Sequence, residues 1–188
     1  MNVQETPLSG LKIVEPKIFG DQRGYFFETW NRKRYAKAGI DVDFVQDNLS
    51  LSRSGVVRGL HYQYPETQGK LVYVLQGKVF DVAVDIRKDS PTFGKWEGVV
   101  LSSENKRQLY VPEGFAHGFC VLSETALFAY KCTAFYNPQV EGGILWNDPE
   151  IGIDWPTTDP VLSEKDTKYP TLKEWTGRGV PDFGSKAS

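Results

Sequence analysis

The sequence predicts a mainly β protein, a barrel or jelly roll with a few short helices. Three observations carry this: many short apolar runs at even spacing, turn residues between them, and little helical periodicity. Lys78 to Arg87 gives the clearest run. Phe80, Val82, Val84 and Ile86 alternate there with Asp81, Ala83, Asp85 and Arg87, the period of a half-buried strand. Leu71 to Leu75 precedes it, and Gln76-Gly77 between the two reads as a hairpin turn. Ser90-Pro91-Thr92-Phe93-Gly94 then breaks the chain, and Trp96 to Leu101 and Gln108 to Val111 read as further strands. Pro112-Glu113-Gly114 is another turn, after which Gly118 to Leu122 resumes. Ala126, Phe128, Tyr130 and Cys132 alternate with Leu127, Ala129 and Lys131, so Tyr130 should face inward. Phe44 to Gln46 and Gly59 to Tyr62 also read as extended. Helix is confined to Arg32–Ala38, stopped by Gly39, and to a turn started at Ser163 to Thr167. From Pro138 onward, Pro, Gly, Asp and Trp are frequent, which favours an irregular C-terminal wrap over a second domain. The chain 1–188 is therefore expected to be one domain with a flexible end from about 177 to 188. No role is read for the stretch past Tyr169.

A chain of 188 residues buries roughly 70% of its unfolded surface, enough for a core without staples. Its net charge is -2, with Lys and Arg spread along the chain. Nucleic-acid binding needs a basic surface, so that class is not expected. The two cysteines, Cys120 and Cys132, form no CxxC pair and read as reduced and buried. Met1 to Gly10 lacks the pattern of a signal peptide, and no run approaches the ~20 apolar residues of a membrane span. A cytoplasmic protein with no membrane partner is expected.

Only two histidines are present, His61 and His117. Barrel metal sites take about three nitrogen or carboxylate ligands, commonly with a His-x-His pair. Position 63 is Gln, so no catalytic metal is expected and His61 is free to act as a base. Proton removal beside a carbonyl needs a base, a group to stabilise the enolate oxygen, and an acid on the opposite face if the centre inverts. Histidine suits the first role, lysine the second and tyrosine the third. Lys70 and Tyr130 are candidates, with a solvated lysine and a core tyrosine as the plainer alternatives. Arg23 and Arg58 sit beside glycines, which allow close approach of phosphate to backbone, or simply make charged turns. Gln46-Asp47-Asn48 offers two amides and a carboxylate suited to hydrogen-bonding a base or sugar.

Taken in order, these strings resemble the dTDP-4-dehydrorhamnose 3,5-epimerase family from about Leu11 to Asp166. The pieces are Gly20-Asp21-Gln22-Arg23-Gly24 with Glu28, Gln46-Asp47-Asn48, Arg58-Gly59-Leu60-His61-Tyr62-Gln63, and Gln68-Gly69-Lys70. Phe80 to Arg87, Pro112 to Phe119, Tyr130-Lys131-Cys132, Trp146-Asn147-Asp148-Pro149 and Ser163-Glu164-Lys165-Asp166 follow. Each piece is weak alone, and the ordered set is specific. The resemblance implies a metal-free, cofactor-free cupin-type jelly-roll barrel and a homodimer that exchanges N-terminal strands. It implies His61 as base, Asp166 as the carboxylate that orients it, Tyr130 as acid and Lys70 as the group that polarises a C4 ketone. Arg23, Glu28, Gln46, Asn48, Arg58, His117, Glu141 and Lys165 match substrate-contacting positions. The implied substrate is dTDP-4-dehydro-6-deoxy-glucose, inverted at C3 and C5. Tyr136 stays open as an alternative acid, and Arg23 and Glu28 serve either their own subunit or a neighbour. An enzyme that inverts a single centre, a metal-dependent oxygenase and a non-catalytic sugar-nucleotide binder remain as rivals.

Overall fold

Alternation in the sequence becomes strand pairing through the middle of the chain in the computed structural model, which describes residues 1–183. The N-terminal part holds β1 (Asn2–Glu5), β2 (Lys12–Glu15), β3 (Phe19–Asp21), β4 (Gly24–Phe26), the helix α1 (Arg32–Lys37) and β5 (Gln46–Arg53). The middle holds β6 (Val57–Gln63), β7 (Lys70–Gln76), β8 (Lys78–Asp85), β9 (Trp96–Ser102) and β10 (Gln108–Val111). Then come β11 (Phe115–Val121), β12 (Thr125–Cys132), β13 (Glu141–Gly143) and α2 (Leu172–Gly177). One antiparallel sheet runs β1-β2-β10-β7-β12-β5 and a second runs β13-β6-β11-β8-β9, while β3 and β4 pair only with each other.

The two sheets face each other over a shared apolar interior. Val72, Val74, Leu109, Ala126 and Phe128 from the first sheet meet Val79, Ala83, Val99, Leu101 and Phe119 from the second. Each buried Val, Leu or Phe among them stabilises the fold by about 1.5–3 kcal/mol before entropy is counted. Strand parity then decides what else points inward. Lys70 shares a face of β7 with Val72 and Val74, and Tyr130 shares a face of β12 with Ala126 and Phe128.

Two sequence expectations change here. Gln76-Gly77 is not a hairpin, because β7 and β8 belong to different sheets and the chain crosses between them. Gly77 (φ +83°) makes that corner; a Cβ there would lie 2.1 Å from the Thr125 carbonyl oxygen. β8 is also not half-buried. Its apolar face, Val82 and Val84, points away from the interior and packs under Ile144, Ile151, Trp155, Leu172 and Trp175. Its other face places Val79, Asp81 and Ala83 inside. The C-terminal segment supplies the second cover, so both faces are dry.

Smaller differences have local causes. The extended run at Phe44 begins as a strand only at Gln46 and continues to Arg53, and β11 starts at Phe115, before Gly118. Residues 164–167 form turns without a helix. α1 forms where expected: the Asn31 side chain accepts from the Arg34 N–H, and the chain leaves through Gly39 at φ +82°. α2 is an addition to the expected elements; Thr171 and Glu174 close a capping box at its start. Of the end expected to be flexible, Val180 and Phe183 pack against the cluster outside the second sheet, and 184–188 lie outside the described residues. No helix is long and apolar enough to cross a membrane among the described residues.

Candidate active site

Inward-pointing polar side chains leave one end of the interior unfilled. The cavity is about 310 Å³ and is lined from both sheets. β5, β7 and β12 contribute Gln46, Asn48, Ser50, Lys70, Tyr130 and Cys132; β6, β11 and β13 contribute Arg58, His61, Gln63, His117 and Glu141.

His61 Nε2 lies 2.6 Å from Asp166 Oδ1. If Nε2–H donates to the carboxylate, Nδ1 is left as the nitrogen able to take a proton. Asp166 is nearly fully buried, and its own N–H donates to Ser163 Oγ at 3.2 Å. Burial alone would raise the Asp166 carboxyl; the hydrogen bond and charge of His61 outweigh it and hold Asp166 below the usual range. The pair is therefore an imidazole seated on an ionised carboxylate, an arrangement suited to accepting a proton.

Tyr130 stands on the opposite sheet. Its hydroxyl has no hydrogen-bond partner among the described residues, and burial, with Cys132 adding to it, raises its pKa above the usual phenol value. Lys70 neighbours it through strand register, since Cys132 pairs with Lys70 and Tyr130 with Val72. Burial pulls the Lys70 ammonium below the usual lysine range, against the pull of Cys132, Glu141 and Asp81.

A second histidine–carboxylate pair adjoins the first. His117 is the register partner of His61, and its Nε2 lies 2.8 Å from Asp81 Oδ1. Asp81 is fully buried, its other oxygen has no partner among the described residues, and burial raises its carboxyl. Asp81 is not among the residues the sequence points to. Its signal was the parity of β8, which the apolar run on the other face masked. At the rim, Glu141 Oε2 accepts from Lys165 Nζ at 2.7 Å and from the Tyr136 hydroxyl at 3.1 Å. Gln46 Nε2 donates to Asn48 Oδ1, and Asn48 donates onward to Cys132 Sγ.

Four predicted contact residues are not among those lining this cavity; one is Lys165, held at the rim by Glu141. Asp47 lies on the outward face of β5, side chain 70% exposed, bound by Lys131; parity separates it from its neighbours Gln46 and Asn48. Arg23 sits at the tip of the β3–β4 hairpin, side chain 84% exposed, against Asp21. Glu28 pairs with Arg34 and Asn31. Among the described residues, no group of three or more His, Cys, Asp or Glu is placed to hold a metal ion.

A β-barrel with a carboxylate-held imidazole on one wall and a phenol on the facing wall defines an acid–base enzyme. The family described as dTDP-4-dehydrorhamnose 3,5-epimerase matches residues 5–174. The dTDP-4-dehydrorhamnose 3,5-epimerase of Shigella flexneri is 61% identical over 88% of this chain and 93% of its own length. That of Methanothermobacter thermautotrophicus is 52% identical over 90% and 94%. The crystal structure of a Legionella pneumophila dTDP-6-deoxy-D-glucose-3,5-epimerase with dTDP-4-keto-L-rhamnose superposes with a TM-score of 0.93 at 54% identity, covering 98% and 99% of the two chains. A 3'-monoepimerase from Streptomyces bikiniensis gives 0.88 at 34% identity, covering 93% of this chain and 90% of its own. The chain belongs to the dTDP-4-dehydrorhamnose 3,5-epimerase family, and its barrel is the cupin-like fold of these neighbours.

Proposed function

We propose that the protein inverts C3 and C5 of dTDP-4-dehydro-6-deoxy-glucose, giving dTDP-4-dehydro-L-rhamnose for dTDP-L-rhamnose biosynthesis. The observation that carries this is the placement of His61 and Tyr130 on facing sheets around one cavity. A sugar ring lying between them meets a base on one face and an acid on the other, which is what inversion requires. The C4 ketone acidifies the hydrogens at C3 and C5. His61, held by Asp166, takes a proton from carbon, and the electron pair moves onto the ketone oxygen as an enolate. Lys70 donates to that oxygen; such a donor in a water-excluded site stabilises the transition state by about 3–4 kcal/mol. Tyr130 returns a proton to carbon from the other face; His61 then gives its proton to solvent, Tyr130 takes one back, and the sequence repeats at the second carbon. No electrons leave the sugar, so the balance needs no redox cofactor. Gln46, Asn48, Arg58, His117, Glu141 and Lys165 are assigned to substrate contacts.

A homodimer is part of the same proposal. β5 ends its sheet with Leu49 and Leu51 60% and 65% exposed, and Phe19, Tyr25 and Phe26 are exposed on the β3–β4 hairpin. Apolar side chains on an uncovered edge strand mark an interface. A partner's hairpin there would bring Arg23 and Glu28 to a cavity that their own chain keeps them from. Cys120 and Cys132, both free and buried, suit a reducing cytoplasm.

Incubation with dTDP-4-dehydro-6-deoxy-glucose in D₂O, followed by proton NMR, tests the activity. Loss of both the C3 and C5 proton signals is expected. Exchange at one carbon would replace the proposal with a single-centre epimerase, and exchange at neither would overturn it.

A further inference from the structure

His61 is held from more than one side. Asp166 grips its Nε2. The Tyr169 ring meets the imidazole edge-on, with centroids 5.7 Å apart and planes at 65°. Both residues ride on one turn of chain, closed by Asp166 N–H to the Ser163 carbonyl and Lys168 N–H to the Lys165 carbonyl. The turn is tied back to the barrel where Leu145 N–H donates to the Pro170 carbonyl at 2.8 Å.

Across the sheet, Gly143 on β13 is the register partner of His61. The Tyr169 ring fills the space above it: a Cβ on Gly143 would lie 2.5 to 2.6 Å from three ring carbons. Gly143 does not occupy a positive φ, so its lack of a side chain serves the ring and not the backbone. The hydroxyl end of Tyr169 is set among Lys165, Glu141 and Asp166, and burial pushes its pKa up to about 12. It therefore stays a neutral phenol at working pH.

We infer that Tyr169, seated on Gly143, is a positioning residue that fixes the ring plane of the base His61 while Asp166 fixes its tautomer. A single hydrogen bond from Nε2 leaves the imidazole free to swing about that contact. A ring edge packed against it removes the swing, and a base must approach carbon along a narrow direction. The inference rests on the proposed proton transfer by His61, and the test separates the two.

The test uses four variants, each assayed for deuterium uptake at C3 and C5 and for dTDP affinity. Tyr169→Ala is expected to lower kcat by roughly 10- to 100-fold, with KM and dTDP affinity within about twofold of the parent. Tyr169→Phe keeps the ring and should recover kcat to within about threefold. Gly143→Ala displaces the ring from its seat and should lower kcat like Tyr169→Ala. Combining Gly143→Ala with Tyr169→Ala should cost no more than either alone, because both remove the same contact. Undiminished kcat in Tyr169→Ala overturns the inference. So does an equal loss in Tyr169→Phe, which would give the role to the hydroxyl, and so does full additivity in the double variant. If Tyr169→Ala does not fold, Tyr169→Phe and Gly143→Ala decide alone. An unaltered protein that exchanges neither carbon would instead sink the epimerase proposal.

Discussion

Asp81 and Asp47 show how much single residues depend on parity. Both are acidic residues inside β-strands, yet one is fully buried beside His117 and the other is exposed against Lys131. The sequence Gln46-Asp47-Asn48 hides this, because a string of letters has no faces and a strand has two. His61, Tyr130 and Lys70 were legible because their chemistry is unusual for their setting: two histidines in the whole chain, and an alternation that turned Tyr130 inward. Asp166 was legible only through the resemblance, since 105 residues separate it from His61. At this scale the mechanism has a direct check. His61→Asn should abolish deuterium uptake at both carbons while calorimetry still shows dTDP binding. Tyr130→Phe should still form the enolate and exchange hydrogen on the His61 side, yet invert poorly, as product NMR would show. Normal inversion in that variant would move the acid role to Tyr136, which now bonds Glu141 at the rim.

Asp85 at the end of β8 governs a whole element. It is fully buried and accepts from the Arg87 N–H, Arg87 guanidinium, Ser90 Oγ and Thr92 Oγ1. These bonds shape residues 86–94 into the loop that returns the chain as β9. Burial opposes ionisation, and the four donors outweigh it, so the Asp85 carboxyl sits below its usual 3.8. A carboxyl lowered on folding stabilises the fold above its unfolded pKa and loses that contribution as pH falls through the folded value. Asp85→Ala should therefore cost about 3 kcal/mol at pH 7, with donors left unpaired. The gap to the parent should close below about pH 3.8 in urea melts; a pH-independent gap would refute the ionised hub. The Ser90-to-Gly94 break was visible in the sequence, while the buried carboxylate organising it was not, because Asp85 there looked like the polar half of an alternation. Likewise α2 is only six residues long and lacks the repeat that reveals longer helices. Tertiary contact sustains it, including the Trp175 indole N–H to the Tyr62 hydroxyl at 2.7 Å.

At the scale of the whole molecule, the barrel was legible from strand spacing and the pairing of strands into sheets was not. Gln76-Gly77 has hairpin chemistry, but a jelly roll uses the same residues to pass from one sheet to the other. The outward leucines of β5 pose the remaining question of assembly. Leu49→Arg with Leu51→Arg should split the proposed dimer into monomers by sedimentation and reduce turnover along with it. A variant that sediments as the parent does would remove β5 from the interface. Both substitutions lie on the outer face, so the interior core should keep its melting behaviour.

The cover over the outer face of β8 is drawn from chain that follows every barrel strand. That same stretch carries Asp166 and Tyr169 to His61. A chain lacking everything after β13 would hold the strands of both sheets but neither this cover nor the residues that grip the imidazole. Synthesis order thus couples the two: the outer seal and the grip on His61 arrive together, in chain made after the last barrel strand.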